Sequence, residues 1–232
     1  LNVDFKHLFA SWFNRGFLVL RPINWSSPAH ILEKIITYES VHEIENWDDL
    51  RRRLQPEDRR CFAFFHPAMP DEPLIFVEVA LTKGTPNSIQ SVLLENRDAM
   101  AAEKADTAAF YSISNCQAGL AGISFGNSLI KTVVQHLLRE LPQIRNFVTL
   151  SPIPGLVKWL RETGNFDADA TAETHRQLAA HYLLNAKHHN GQPRDPVARF
   201  HLNNGALVGA VHANADKSKN GMAQSCGVMV NY

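Results

Sequence analysis

AAFYSISNCQAGLAGISFGNSLIKTVVQHLLREL, Ala108–Leu141, decides how this chain is read. It opens inside a β-rich run, TAAFYSIS (Thr107–Ser114). It then crosses a loop whose glycines, Gly119, Gly122 and Gly126, lie three and four residues apart. It ends in a helix. Leu129, Ile130, Val133, Val134, Leu137, Leu138 and Leu141 recur at helical spacing with polar residues between them, and Pro142 closes the run. Glycines allow positive φ and close backbone approach. A helix N-terminus offers free N–H groups and the positive end of a dipole. The expectation is a pyrophosphate cradle of backbone amides, with Asn127 as N-cap or first helical residue. The competing reading is a flexible loop with one or two capping glycines. GK[ST] is absent and the glycine spacing is not the dinucleotide fingerprint, so neither a P-loop nor a Rossmann turn is read.

Working outward, strands and helices alternate up to residue 151. NRGFLVLRPI reads as a glycine turn and strand. SSPAHILEKIITY reads as a helix with Ser27 as N-cap and Pro28 at its first position. Asn46 is the expected cap of NWDDLRRRL. CFAFFHP is a strand, AMPDEP a turn, and LIFVEVALT (Leu74–Thr82) a central strand, apolar on both faces except at Glu78. SIQSVLLEN is a short helix. RNFVTLS is a strand running into LVKWLRE, a helix. TAETHRQLAAHYLLNAKH is a long helix, and DPVARFHLNNGA follows. After Ser151 the chain is mostly helical.

Composition sets bounds. The chain has 232 residues, 45% hydrophobic and 20% charged, as in an ordinary globular protein. Lys+Arg and Asp+Glu are 23 each, which gives no electrostatic reason to expect nucleic acid or an anionic membrane as partner. No apolar run approaches the roughly 18 residues a membrane span needs. The three cysteines, Cys61, Cys116 and Cys226, are too scattered for a disulfide framework or a zinc cluster and fit a reducing compartment. The chain opens LNVDFKHLF, without Met, and is read as a piece of a longer protein.

Two stretches carry nucleophile and acid–base candidates. In TLSPIPGL (Thr149–Leu156) two prolines and a glycine stop a strand at Ser151. Ser151 is either a turn or capping hydroxyl or a working side chain at a strand end, where α/β sheets bind ligands. His201 lies in ARFHLNNGA, flanked by Asn203 and Asn204, amides that could orient an imidazole. The plainer reading is a polar loop histidine. His181 and His188 are seven apart on one predicted helix, and His188–His189 at its end fit a favourable charge near the C-terminal dipole. No metal site is expected. Glu78 must find a partner or be neutral. It either pairs with an arginine or lines a cleft.

FFHPAMPDEPLIFVEVALT, FYSISNCQAGLAGISFGNSLIKTVV, TLSPIPGLVKWL and DPVARFHLNNGA, in this order, resemble malonyl-CoA decarboxylase, from FKHLF to SCGVMVNY. The resemblance implies an α/β (α+β) fold of GNAT type over residues 1–232 as a single catalytic domain. Its mixed central sheet is flanked by helices, and its C-terminal part is helical. The strand–loop–helix looks like the CoA-pyrophosphate element of that superfamily. The implied catalytic pair is Ser151 and His201. The implied substrate and CoA contacts are Ser112, Gln117, Gly119, Gly122, Ser124, Gly126 and Asn127. Ser124 stands where animal members carry a glutamate, which takes an acidic loop residue out of play. The family's helical N-terminal domain, used for self-association, is not matched here, so homo-oligomerisation is assigned to it. Malonyl-CoA and acetyl-CoA are the expected ligands, with CoA as part of the substrate and no further cofactor. The expected setting is cytoplasmic, or organellar in a eukaryote. The implied reaction is loss of CO2 to a thioester enolate, which His201 protonates from an imidazole of ordinary pKa, about 6.5. An N-acyltransferase using Glu78 as base, a Ser–His hydrolase and a non-catalytic CoA-binding domain are the alternatives.

Overall fold

The computed structural model describes residues 15–117 and 125–232, together with Asp4, Leu8 and Ser11. In chain order the elements are β1 (Val19–Ile23), α1 (Ala29–Tyr38), α2 (Trp47–Leu54), β2 (Arg59–His66), β3 (Met69–Thr82), α3 (Ile89–Leu93), β4 (Thr107–Asn115), α4 (Phe125–Glu140) and β5 (Asn146–Thr149). Then come β6 (Ser151–Pro152), α5 (Leu156–Glu162), α6 (Ala172–Asn185), α7 (Pro196–Asn203), β7 (Val211–His212), α8 (Lys219–Ser225) and β8 (Met229–Val230). The chain divides into two compact units. One holds Leu1–Gly84 and Glu95–Phe147, the other Thr85–Leu94 and Val148–Tyr232.

The first unit is built on a five-stranded sheet, β1-β2-β3-β4-β5, with β3 in the centre as LIFVEVALT implies. β1, β2, β3 and β4 pair antiparallel in succession. The near-continuous burial of β3 follows from cover on both faces. Ile75, Val77, Val79 and Leu81 share one core with Leu129, Val133 and Leu137, the every-fourth-residue stripe of α4, and with Leu141 just after it. Phe76 points to the other face, into a core with Ile31 and Ile35 of α1 and Leu50 and Leu54 of α2. Each such side chain contributes about 1.5–3 kcal/mol by leaving water.

Three local readings change. The turn expected at AMPDEP contracts to Pro67–Ala68, because β3 already begins at Met69. There the Ala68 N–H donates to His66 Nδ1 at 3.1 Å, which closes the hairpin. Ser27 does not cap α1: Pro28 holds the N-cap position with ψ 138°, and the Ser27 hydroxyl turns back to accept from Asn24 N at 3.1 Å. Asn46 does cap α2, its Oδ1 accepting from Asp49 N at 2.9 Å.

The second unit holds a three-stranded antiparallel sheet, β6-β8-β7. Its core gathers Ile153, Leu156 and Leu160 from the PIPG stretch and α5, Ala179, Tyr182 and Leu183 from α6, Ala198 from α7, and Val228, Val230 and Tyr232. The strand expected to run into Ser151 is broken at Leu150: β5 ends at Thr149, and Ser151 starts β6 in a different sheet. No described helix is long and apolar enough to cross a membrane.

Candidate active site

Ser151 and His201 both belong to the second unit. Ser151 pairs with Val230 in the β6–β8 ladder and is 6% exposed. It caps nothing. The α5 N-cap is Gly155, which has no side chain to give. Instead the Ser151 hydroxyl donates to Thr149 Oγ1 at 2.8 Å. The same Thr149 oxygen accepts the Tyr232 backbone N–H at 3.1 Å.

His201 is not a loop residue. It sits in the last turn of α7, and DP explains why that helix starts where it does. Pro196 takes the first helical position, and the Asp195 carboxylate accepts the N–H groups of Val197 at 3.0 Å and Ala198 at 2.9 Å. The neighbouring amides do not orient the imidazole. Asn204 spends its Nδ2 on the Phe200 carbonyl at 2.7 Å. Aromatic rings orient it instead. Tyr232 stacks on His201 at 4.6 Å with an interplanar angle of 21°, and Phe200 meets it edge-on at 5.0 Å. Among the described residues neither ring nitrogen has a hydrogen-bond partner. The imidazole is 5% exposed, and burial pushes its pKa down to about 4. The free protein therefore carries a neutral imidazole near pH 7, not the partly protonated one that an ordinary pKa of about 6.5 implies.

A frame of polar contacts holds this pair. Thr149 N donates to the Tyr232 carbonyl at 3.0 Å, and Asn231 Nδ2 donates to the Thr149 carbonyl at 2.7 Å and to that of Pro86 at 3.3 Å. With its NH2 so engaged, Asn231 presents Oδ1 to His212, whose Nε2–H donates to it at 2.5 Å. The second Asp195 oxygen accepts Gly155 N at 3.2 Å. One carboxylate, 1% exposed, thus ties the turn after Ser151 to the helix bearing His201. Burial raises the Asp195 pKa, and its three backbone donors oppose that rise. Thr149, Asn231, Tyr232 and Asp195 escape a reading for catalytic residue types. The legible signals are the Thr-x-Ser spacing at residues 149 and 151 and DP before an apolar run.

The remaining candidates lie in the first unit. Ser112 Oγ sits 2.7 Å from each oxygen of Glu39, a carboxylate that also accepts Val41 N and His42 N. The hydroxyl is thus engaged within the fold. Gln117 Nε2 donates to the Pro73 carbonyl at 3.3 Å. α4 begins at Phe125, so Gly126 and Asn127 are its second and third residues, and Asn127 is not the cap. Gly119, Gly122 and Ser124 lie outside the described residues. Glu78 is 0% exposed and pairs with Arg53 at 3.4 Å, as one of its two readings holds. Desolvation, then the nearby Glu39 charge, push its pKa to about 8 against the pull of Arg53.

The histidine readings also shift. α6 ends at Asn185, so His188 and His189 are outside it. Arg199 Nη1 donates to His188 Nε2 at 3.1 Å. Among the described residues no group of three His, Cys, Asp or Glu is placed to hold a metal.

A family model described as malonyl-CoA decarboxylase C-terminal domain matches residues 16–176 and 161–232. A curated malonyl-CoA decarboxylase of Anser anser anser, described as mitochondrial, is 40% identical over 274 residues, covering 98% of this chain and 54% of its own. The crystal structure of malonyl-CoA decarboxylase from Rhodopseudomonas palustris is 56% identical with a TM-score of 0.90, over 100% of this chain and 63% of that one. The chain thus spans about half the length of the curated relatives it matches. The loading GNATL domain of CurA from Lyngbya majuscula shares the fold, with a TM-score of 0.61 at 14% identity over 93% of this chain and 96% of that one. The expected GNAT-type α/β fold is the one observed. On the matched residues and on this likeness, the chain belongs to the malonyl-CoA decarboxylase family.

Proposed function

We propose that this chain decarboxylates malonyl-CoA to acetyl-CoA and CO2 at Ser151 and His201. The observation that carries the reading is the frame joining them. Ser151 hydrogen-bonds Thr149, Thr149 accepts the Tyr232 amide, and the Tyr232 ring stacks on His201.

Loss of CO2 needs no general base. It needs the carboxylate held out of the thioester plane, charge stabilisation on the thioester oxygen, and then a proton at carbon. Ser151 Oγ–H hydrogen-bonds the acyl group. His201 provides the proton. The free ring is neutral, so it first takes up a proton from solvent when the malonyl carboxylate binds and raises its pKa. Once CO2 has left and carbon has taken the proton, the ring returns to the neutral form its burial prefers. The ligands in this reading are malonyl-CoA and acetyl-CoA, not nucleic acid or a membrane surface. Three cysteines free of disulfides fit a reducing, cytoplasmic setting.

The other readings fit less well. A hydrolase requires a Ser–His hydrogen bond, and the Ser151 hydroxyl is bonded to Thr149 while neither ring nitrogen of His201 has a partner among the described residues. An N-acyltransferase base at Glu78 would be a carboxylate with no exposed surface, held by Arg53. The test is incubation with malonyl-CoA while acetyl-CoA, CO2 and free CoA are followed. The wild type should form acetyl-CoA and CO2, and Ser151→Ala and His201→Ala should lose most of that rate. Free CoA without acetyl-CoA, or full rates in both variants, rejects the reading.

A further inference from the structure

We propose that Thr149 is a positioning residue for Ser151, whose hydroxyl sets the direction of the Ser151 O–H and reverses it when an acyl group binds. The inference rests on the role given to Ser151 above. A hydroxyl has one hydrogen and two lone pairs. The Thr149 oxygen accepts twice, from Ser151 Oγ at 2.8 Å and from Tyr232 N at 3.1 Å, so both lone pairs are engaged. Ser151 meanwhile has given away its only hydrogen, so it cannot donate to an acyl oxygen in the same state. Thr149 still holds a hydrogen of its own. When Ser151 turns its O–H to the acyl group, Thr149 can turn its own O–H to Ser151 Oγ and keep accepting from Tyr232. No heavy atom has to move, and a hydroxyl that receives a hydrogen bond is a stronger donor.

The backbone supports such a rotor. Thr149 is fixed on both sides, its N–H on the Tyr232 carbonyl and its carbonyl on Asn231 Nδ2. Asn231 is itself held by Gly209 N at 2.7 Å, by the Ala210 carbonyl at 2.9 Å and by His212. The freedom left at Thr149 is the rotation of its hydroxyl hydrogen.

A double-mutant cycle in the intact protein tests this, with Thr149→Val, Thr149→Ser, Ser151→Ala and the Val/Ala pair. Thr149→Val should lower kcat about tenfold, the size of one hydrogen bond. Inhibition by free CoA should be unchanged, and Thr149→Ser should restore the rate. In the Ser151→Ala background Thr149→Val should cost nothing further. A full kcat in Thr149→Val beside an impaired Ser151→Ala overturns this inference and leaves the role of Ser151 standing. An equal loss with and without Ser151 also overturns it, since the effect then runs through packing. A full rate in Ser151→Ala overturns the reading beneath it. Thermal unfolding monitors integrity, and if Thr149→Val does not fold, Thr149→Ala takes its place in the cycle.

Discussion

The ring of Tyr232 lies on the ring of His201, centroids 4.6 Å apart. The tyrosine packs as a flat apolar wall, since its buried hydroxyl has no hydrogen-bond partner among the described residues. Tyr232→Phe keeps the wall and removes an unsatisfied group, so stability and kcat should stay close to wild type, within about 1 kcal/mol. Tyr232→Ala removes the wall, should cost about 3 kcal/mol, and should lower kcat. Urea unfolding and steady-state rates on both variants check this.

His201 should titrate far below an ordinary histidine. Its folded pKa is about 4 because burial penalises the cation, against about 6.5 in the unfolded chain. Between these values the unfolded chain binds more protons, so this group's contribution to stability is present above pH 6.5 and is lost as pH falls toward 4. NMR titration of the ring should give the low value in the free protein. A non-decarboxylating malonyl-CoA analogue should raise it, and acetyl-CoA should not. An ordinary pKa in the free protein would contradict this account of the site.

Glu78 has the opposite sign. Its folded pKa is about 8, above the ordinary carboxylate value. Between roughly pH 4.5 and 8 the unfolded chain releases a proton that the folded protein keeps, so stability falls as pH rises through that window. Glu78→Gln should flatten this dependence, by at most about 1.4 kcal/mol per pH unit. Denaturant midpoints from pH 5 to 8 provide the measurement.

Gly155 has no room for a methyl group. A Cβ there would fall 2.2 Å from the Tyr182 hydroxyl oxygen. Gly155→Ala should destabilise by about 1–3 kcal/mol. Tyr182→Phe should recover much of that, because the next tyrosine atom is 3.3 Å away. Asp195→Asn should keep the α7 cap but lose the acceptor for Gly155 N, and should cost less than Asp195→Ala.

Much of the first unit was legible because its signals are local. The α4 stripe from Leu129 to Leu137 repeats with the helix, and LIFVEVALT is apolar on both faces because both faces are covered. Glu78 announced itself as a charge among apolar neighbours, and Arg53 met it. The second unit was harder. Nothing in RNFVTLS marks the change of sheet at Leu150, since a residue's pairing partner is set by distant chain. α7 was legible in principle from Asp195 and Pro196, but the polar NNGA after it drew the reading toward a loop.

The sequence by itself determined most elements of the first unit, the central place of β3, and Ser151 and His201 as candidate residues. Periodicity, capping chemistry and motif order are written in neighbouring residues. Only the tertiary structure decided the state of those two side chains. Ser151 gives its hydrogen to Thr149, and His201 is a neutral ring walled by Tyr232. The His201 wall is Tyr232, and the Thr149 oxygen that takes the Ser151 hydrogen is itself held by the Tyr232 amide. Burial and hydrogen-bond direction are properties of the packed environment, not of the residue that experiences them.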